Sequence, residues 1–194
     1  MVDLQQRVTA FTETASPISC QIFLASCVER ASASFFWGLS GKEERSQDAE
    51  VYLSDLNALW QTGPEAAGPS ESEEIRQRIY AFPELTQEEE PSGVGAYVSD
   101  ALSALYYAYS YMATFDGSWV AYTSSCLADS AHFLDRAAGS GNSISESEVA
   151  EQLECIDLLS SDVGTAIASV ATLREKSQAA GRHRVALLQT LSFR

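Results

Sequence analysis

Apolar residues recur along most of this chain at steps of three and four, the spacing that gathers them on one face of an α-helix. Leu4, Val8 and Phe11 mark a short first helix. Ser16-Pro17 then supplies an N-cap and a proline at the first helical position, and Ile18, Ile22, Ala25, Val28 and Ser32 draw the stripe of a second helix reaching about Phe36. Phe23, Cys27 and Arg30 draw an adjacent stripe, which makes this helix substantially buried. Val51, Tyr52, Leu56, Leu59 and Trp60 predict a third helix, stopped by Gly63-Pro64. A Gly/Pro/Ala/Ser-rich loop from Gly63 to Ser72 follows, then a short helix on Ile75, Ile79 and Phe82 ended by Pro83, then an acidic loop from Glu84 to Ser92.

Between Asp100 and Asp116 fifteen residues carry no formal charge, and a helix apolar on most sides is one that others surround. Val94 to Phe115 is therefore expected to be the central helix, with its tyrosine hydroxyls reaching a polar rim. Val120, Ser124, Leu127, Ala131 and Leu134 predict the next helix, closed by Gly139 to Asn142. Ser145 and Glu148 form a capping box, and Leu153, Ile156, Ser160, Val163, Ile167 and Val170 continue in step from there. They predict one long helix from about Ser145 to Ala180, with Gly181 as its C-terminal glycine, a short tail beyond, and Gly164 as the place where a kink or split would fall. Alternation with period two is missing, so no sheet is expected. The expected fold is all-α: a single domain over residues 1–194, a bundle of about seven helices around a central uncharged one.

With 45% of its residues apolar, the chain can hold a core without disulfides or a structural metal. Twenty-seven acidic residues against twelve basic ones leave a formal charge of -15, which opposes direct binding to nucleic acid and to anionic membrane surfaces. The uncharged stretch is too short for a membrane span, which needs about 20 apolar residues. Met1 to Thr14 lacks a basic start followed by a continuous apolar run, so a cytoplasmic location is expected. Cys20 and Cys27 are separated by roughly 10 Å along one helix, too far to bridge, and reduced thiols are expected for all four cysteines.

Signatures of chemistry are sparse. No CxxC pair, GxSxG elbow or phosphate-binding glycine loop occurs, and His132 and His183 are the two histidines. Asp129 and His132 have the i, i+3 spacing of di-iron bundles, but such a centre needs a second copy on another helix, so neither metal nor cofactor is expected and no catalytic residue is assigned. Glu29, Arg30 and Asp100 are charged residues in apolar helices, and buried charges persist when paired. They predict a buried network tying the second helix to the central one, with a catalytic carboxylate of raised pKa as the rival reading.

Charge is unevenly spread. From Glu65 to Glu90 run eight acids, Glu65, Glu71, Glu73, Glu74, Glu84, Glu88, Glu89 and Glu90, against Arg76 and Arg78, a local net charge of -6. Near the other end Arg174, Lys176, Arg182, Arg184 and Arg194 face Glu175. A run of like charge is ordinarily a solvated surface; the functional alternative is a patch that steers a basic protein partner. On this reading the chain is a non-enzymatic acidic interaction module, for example an immunity-type inhibitor of a nuclease toxin. The alternative is a helical enzyme with Asp100 or Glu29 as acid or base and tyrosines as donors, in a cleft near the central helix. The oligomeric state stays open.

Several segments, in order, resemble the YjaG-like bacterial family, an all-α group of unknown function. They are Phe23-Leu24-Ala25 with Cys27 and Glu29-Arg30; Leu56, Leu59 and Trp60; Tyr97, Asp100-Ala101 and Leu105; Ser124-Ser125; Leu158-Leu159; Leu173-Arg174; and Ala180-Gly181. The resemblance spans Gln21 to Gly181 and departs after the Glu-Arg pair, where the family tends to place proline and an aromatic and this chain has Ala31 to Ser34 before Phe35-Phe36. It implies a compact helical fold and brings no activity with it.

Overall fold

A computed structural model describes residues 4–63, 66–89 and 91–191, and every regular element among them is helical. In chain order these are α1 (Leu4–Thr14), α2 (Pro17–Leu39), a 3-10 turn (Glu43–Arg45), α3 (Ser46–Leu59), α4 (Pro69–Tyr80), α5 (Pro83–Thr86), α6 (Val94–Thr114), α7 (Ser118–Ala138), α8 (Ser143–Leu159) and α9 (Val163–Leu188). The chain is thus an all-α, single-domain bundle, with nine α-helices among the described residues against the expected seven or so. Two of the additional elements come from segments expected to be loops or continuous helix: Pro83 starts one turn inside the acidic loop, and the last long helix is two.

Helix α2 starts as its sequence dictates, with Ser16 Oγ accepting from the Ser19 N–H at 3.0 Å and Pro17 at the first position. From Ser19 to Ser32 every one of its residues is buried, and it packs mainly on α6 and α9, with α3, α7 and α8 also against it. The uncharged α6 is central as expected, but α2 is the more enclosed of the two. Phe35 of α2 stacks on Tyr52 of α3 at 4.1 Å between centroids, and α6 in turn carries α4, α5 and α7.

The break between α8 and α9 falls at Ser160–Asp162. The Ser160 N–H and hydroxyl both turn back to the Ile156 carbonyl, at 2.8 and 2.7 Å, and the Asp162 carboxylate then caps α9 by accepting from Thr165 N and Oγ1 at 3.0 and 2.7 Å. Short polar side chains that bond nearby backbone compete with the helix ladder, and Ser160 and Asp162 do so on either side of the break. Gly164 sits just inside the new helix rather than at the break.

The expected capping box at Ser145 and Glu148 is replaced by a tertiary cap. Asp135, in the last turn of α7, accepts from the Ile144 and Ser145 N–H groups at 2.9 and 2.8 Å and from the Ser145 hydroxyl at 2.7 Å. Burial pushes this carboxyl up, yet the bonds from Ser140, Ser145 and Ile144 outweigh it and hold the pKa down at about 2. Glu148 is thereby free to turn into the core.

Gly181 is not a helix end: α9 continues to Leu188, so the expected tail is helical that far. The glycine lies where α9 crosses α2. A Cβ there would come within 2.9 Å of the Arg30 carbonyl and 3.2 Å of the Ala33 Cβ. Alanine is worth about 1 kcal/mol more than glycine in an open helix, whereas overpacking against backbone costs about 1–3 kcal/mol. Gly181→Ala is therefore expected to lower unfolding stability by about 1 kcal/mol, the middle of the range these two terms leave, in chemical denaturation. Gly95→Ala, whose Cβ meets its nearest neighbour, Pro91 Cβ, at an ordinary 3.6 Å, is expected to be neutral or stabilising. Equal stability of the two variants would contradict this account of the crossing.

Candidate functional site

Glu29 and Arg30, neighbours in α2, serve two separate buried networks. Glu29 accepts from Trp60 Nε1 at 2.7 Å, Arg174 Nε at 3.2 Å and Gln178 Nε2 at 3.2 Å. Arg174 also donates to Asn57 Oδ1, and its guanidinium lies 5.9 Å from the centroid of the Trp60 ring. Arg30 donates to Glu148 through Nε at 3.1 Å and Nη2 at 3.0 Å, and through Nη1 to Ser26 Oγ at 2.8 Å, which itself bonds Ser177 Oγ at 2.8 Å. Glu148 further accepts from Arg184 and from Gln152 Nε2 at 2.7 Å. Both Arg30 and Glu148 are 1% exposed, so neither charge would survive there alone.

The networks tie α2 to α3, α8 and α9, whereas Arg30 was expected to pair with Asp100 of α6. The partner, Glu148, had a local role in the sequence reading. A signal was nonetheless present: Glu148, Gln152, Cys155, Ile156 and Leu159 share one face of α8, and all five are buried, so two polar residues stand in an otherwise apolar stripe.

Asp100 sits apart, in the wall of a narrow cavity of ≈ 20 Å³ between α2, α6, α7 and α9, beside Ser34, Tyr97, Cys126, Ser130 and Arg184. That is room for about one water. Burial pushes the Asp100 pKa up to about 6 against a hydrogen bond with Ser130, and nearby Asp129 adds to the rise.

The acidic run does not form one free surface. Glu84 is half-buried and accepts from Arg45 Nη1 and Nη2 at 2.8 and 3.0 Å, and Glu73 accepts from Arg76 Nε and Nη2 at 2.8 and 2.6 Å. Glu71 and Glu74 on α4, and Glu88 and Glu89 after α5, are exposed. Glu65, Glu90 and Arg194 lie outside the described residues.

Beside the α4 acids runs a strip of aromatic rings not anticipated from the sequence. Tyr80 of α4 meets Tyr106 of α6 at 5.8 Å between centroids, Tyr106 meets Tyr107 at 5.8 Å, Tyr107 stacks on Trp119 of α7 at 5.8 Å, and Trp119 meets Tyr122 at 5.6 Å. Tyr80 and Tyr122, at the two ends, are each 54% exposed. Arg76 places its guanidinium 5.5 Å from the Tyr106 ring centroid and donates to the Tyr106 hydroxyl at 2.8 Å while it holds Glu73.

Asp129 and His132 are both exposed on α7, and the described residues contain no group of three or more possible metal ligands. Among them, no helix is long and apolar enough to cross a membrane. The four cysteines are free, three of them buried, and burial pushes the Cys27 thiol up to about 11 despite the nearby Arg30. Compared with protein-family models, curated proteins and solved structures, the chain gives no match.

Two outcomes follow from this geometry. In a double-mutant cycle with Arg30→Met and Glu148→Gln, Glu148→Gln takes the carboxylate from two buried guanidinium groups and should cost about 3–5 kcal/mol, Arg30→Met leaves Glu148 paired with Arg184 and should cost less, and the two should couple by more than about 1 kcal/mol, while Arg30→Met and Asp100→Asn should add. Additive losses for the first pair would remove the network from the account. For Asp100, a folded pKa raised to about 6 means that the folded state holds a proton the unfolded state has already lost, so stability falls as pH rises from about 4 to about 6. Asp100→Asn should therefore melt higher than the wild type at pH 8, by on the order of 2 kcal/mol in stability, and the advantage should fade near pH 4. Asp100 is half-buried rather than buried as expected, and an advantage independent of pH would contradict its desolvation in the cavity wall.

Proposed function

We propose that this chain is a non-enzymatic interaction module whose aromatic strip and flanking acids take up a basic segment of a partner protein. The observation that carries the reading is Arg76: one guanidinium lies against an aromatic face, bonds its hydroxyl and is held by a carboxylate. A cation over an aromatic ring gains about 0.5–1 kcal/mol at exposed sites and more when water is excluded. The strip continues from Tyr106 through Tyr107 and Trp119 to Tyr122, and among the described residues no cation is seated over these further rings. An arginine or lysine of a partner would repeat there what Arg76 does at Tyr106, and the exposed Glu71 and Glu74 lie on the helix that carries Arg76.

Tyrosine, tryptophan and arginine dominate binding energy at protein interfaces, and the two aromatics bury large area with few rotamers lost. The chain's charge of -15 would add a long-range pull on a cationic partner and raise its association rate. An immunity-type inhibitor of a basic nuclease toxin is one instance of this class. The rival enzymatic reading, with Asp100 or Glu29 as acid or base, gains nothing from a cavity that holds about one water, or from a Glu29 whose oxygens are taken by Trp60, Arg174 and Gln178.

The test is a titration of the protein with an arginine-rich peptide, followed by calorimetry at low and at physiological salt. Tyr80→Ala and Tyr122→Ala, both at exposed rings, should each weaken binding about 2- to 5-fold with the fold intact. The pair Glu71→Gln with Glu74→Gln should mainly flatten the salt dependence. Binding that ignores both tyrosines would remove the strip from the proposal, and binding that ignores salt would remove the charge.

A further inference from the structure

We propose that the cleft between α8 and α9 binds a small molecule through its carboxylate or phosphate group, received by Arg184. The cleft measures ≈ 310 Å³, a volume suited to a metabolite, and lies on elements other than those of the aromatic strip. Its walls carry Ser143, Ser147 and Glu151 from α8 and His183 and Leu187 from α9, with Arg184 also lining it.

Arg184 is held almost out of solvent, its side chain 11% exposed, yet among the described residues it makes a single bond, to Glu148. A guanidinium carries five N–H donors, and among the described residues the sealed-off polar atoms without a partner are Asp55 Oδ2 and Ser72 Oγ, so the unbonded donors of Arg184 reach water. Glu148 cannot supply more, because it already accepts from Arg30 Nε and Nη2 and from Gln152. One fully buried carboxylate thus faces two guanidinium groups, and Glu151, 4.0 Å from Arg30 Nε, brings the centre to two charges of each sign. Burial and then the Arg30 charge both work against the charged form of Arg184. An incoming oxyanion would replace water on the unbonded N–H groups of Arg184, in the fork-to-fork geometry in which arginine binds carboxylates and phosphates best.

Part of the donor set faces the other way. Arg184 also lines the one-water cavity that holds Asp100, and a water there can take one of its N–H groups. The N-terminus of α8 plays no part, because Asp135 already occupies its first N–H groups. Glu151 is the opposing charge in the cleft, 4.0 Å from Arg30 Nε, and burial already raises its pKa. An arriving anion would raise it further and draw a proton onto it, turning an acceptor into a donor. The overall charge of -15 opposes any anion at long range, but charges farther than about 8 Å away are largely screened at physiological salt. Ile144 and Leu187 give the cleft an apolar side, which fits an anion carried on an apolar body.

The experiment titrates the 15N-labelled protein with sodium phosphate and with sodium benzoate, each against sodium chloride of equal ionic strength, and follows the amide signals of residues 143–151 and 180–187. Saturable shifts confined to these two segments are expected with at least one oxyanion. Phosphate alone would indicate a phosphate ester as the ligand class, and benzoate alone a carboxylate on an apolar body. Ser147→Asp adds a like charge at an exposed rim position and leaves the buried network untouched, so it should raise the apparent Kd at least tenfold. Shifts that merely follow ionic strength, no saturable shift with either anion, or a Ser147→Asp variant that responds like the wild type would each overturn the proposal.

Discussion

Where Gly181 crosses α2, the missing side chain lets α9 rest on the carbonyls of Glu29 and Arg30, and that contact decides which residues of α9 reach the core. Arg174 and Gln178 fall toward Glu29 and Trp60, while Ser177 and Arg184 fall toward Ser26 and Glu148. Two adjacent charges of α2 are thus compensated separately, Glu29 by Arg174 of α9 and Arg30 by Glu148 of α8. A shift of α9 by one residue would turn every one of these groups away from its partner. Removing one member of a buried ion cluster costs far more than a surface pair contributes, so the arrangement penalises alternative registers. Apolar packing alone would not do this, because the small and medium side chains of α9 could slide past α2 at modest cost.

The periodic parts of the fold were legible. The α1, α2, α3 and α7 stripes, the Ser16-Pro17 start and the uncharged α6 all follow from local rules that need no knowledge of what lies opposite. The end of α8 was hidden because Ser160, Val163, Ile167 and Val170 stay in step across a real break, and the information sat in the Asp162–Thr165 cap instead of in the apolar spacing. Gly181 looked like a terminator because a glycine after a helical run has the same appearance whether it ends the helix or admits a neighbour. Glu148 was misplaced for a related reason: a plausible partner stood three residues away, while the real one, Arg30, is 118 positions distant.

The candidate surfaces show the same division. The acidic run was visible as composition, but Glu84 and Glu73 are drawn into pairs with Arg45 and Arg76, and only the folded chain tells a neutralised acid from a free one. The aromatic strip is assembled from three helices, and the α6 tyrosines in it looked like core-rim residues because α6 lacks charge all round. Arg184 belonged on paper to a basic tail; helix α9 carries it to the edge of the core, where among the described residues its one bond is to Glu148. The interior charges hold register, and both proposed binding features, the strip and the α8–α9 cleft, lie outside them.

Native-state hydrogen exchange tests most directly whether α9 is locked to α2 by the contacts at Gly181, Glu29 and Arg30. A C-terminal helix held by ordinary packing opens on its own, at a free energy well below that of global unfolding. If the buried clusters bind the two helices as one unit, amides of α9 between Arg174 and Arg184 should exchange with the same free energy as those of Phe23 to Arg30, and both should equal the global value. Exchange of α9 at a clearly lower free energy, with α2 still fully protected, would contradict the account.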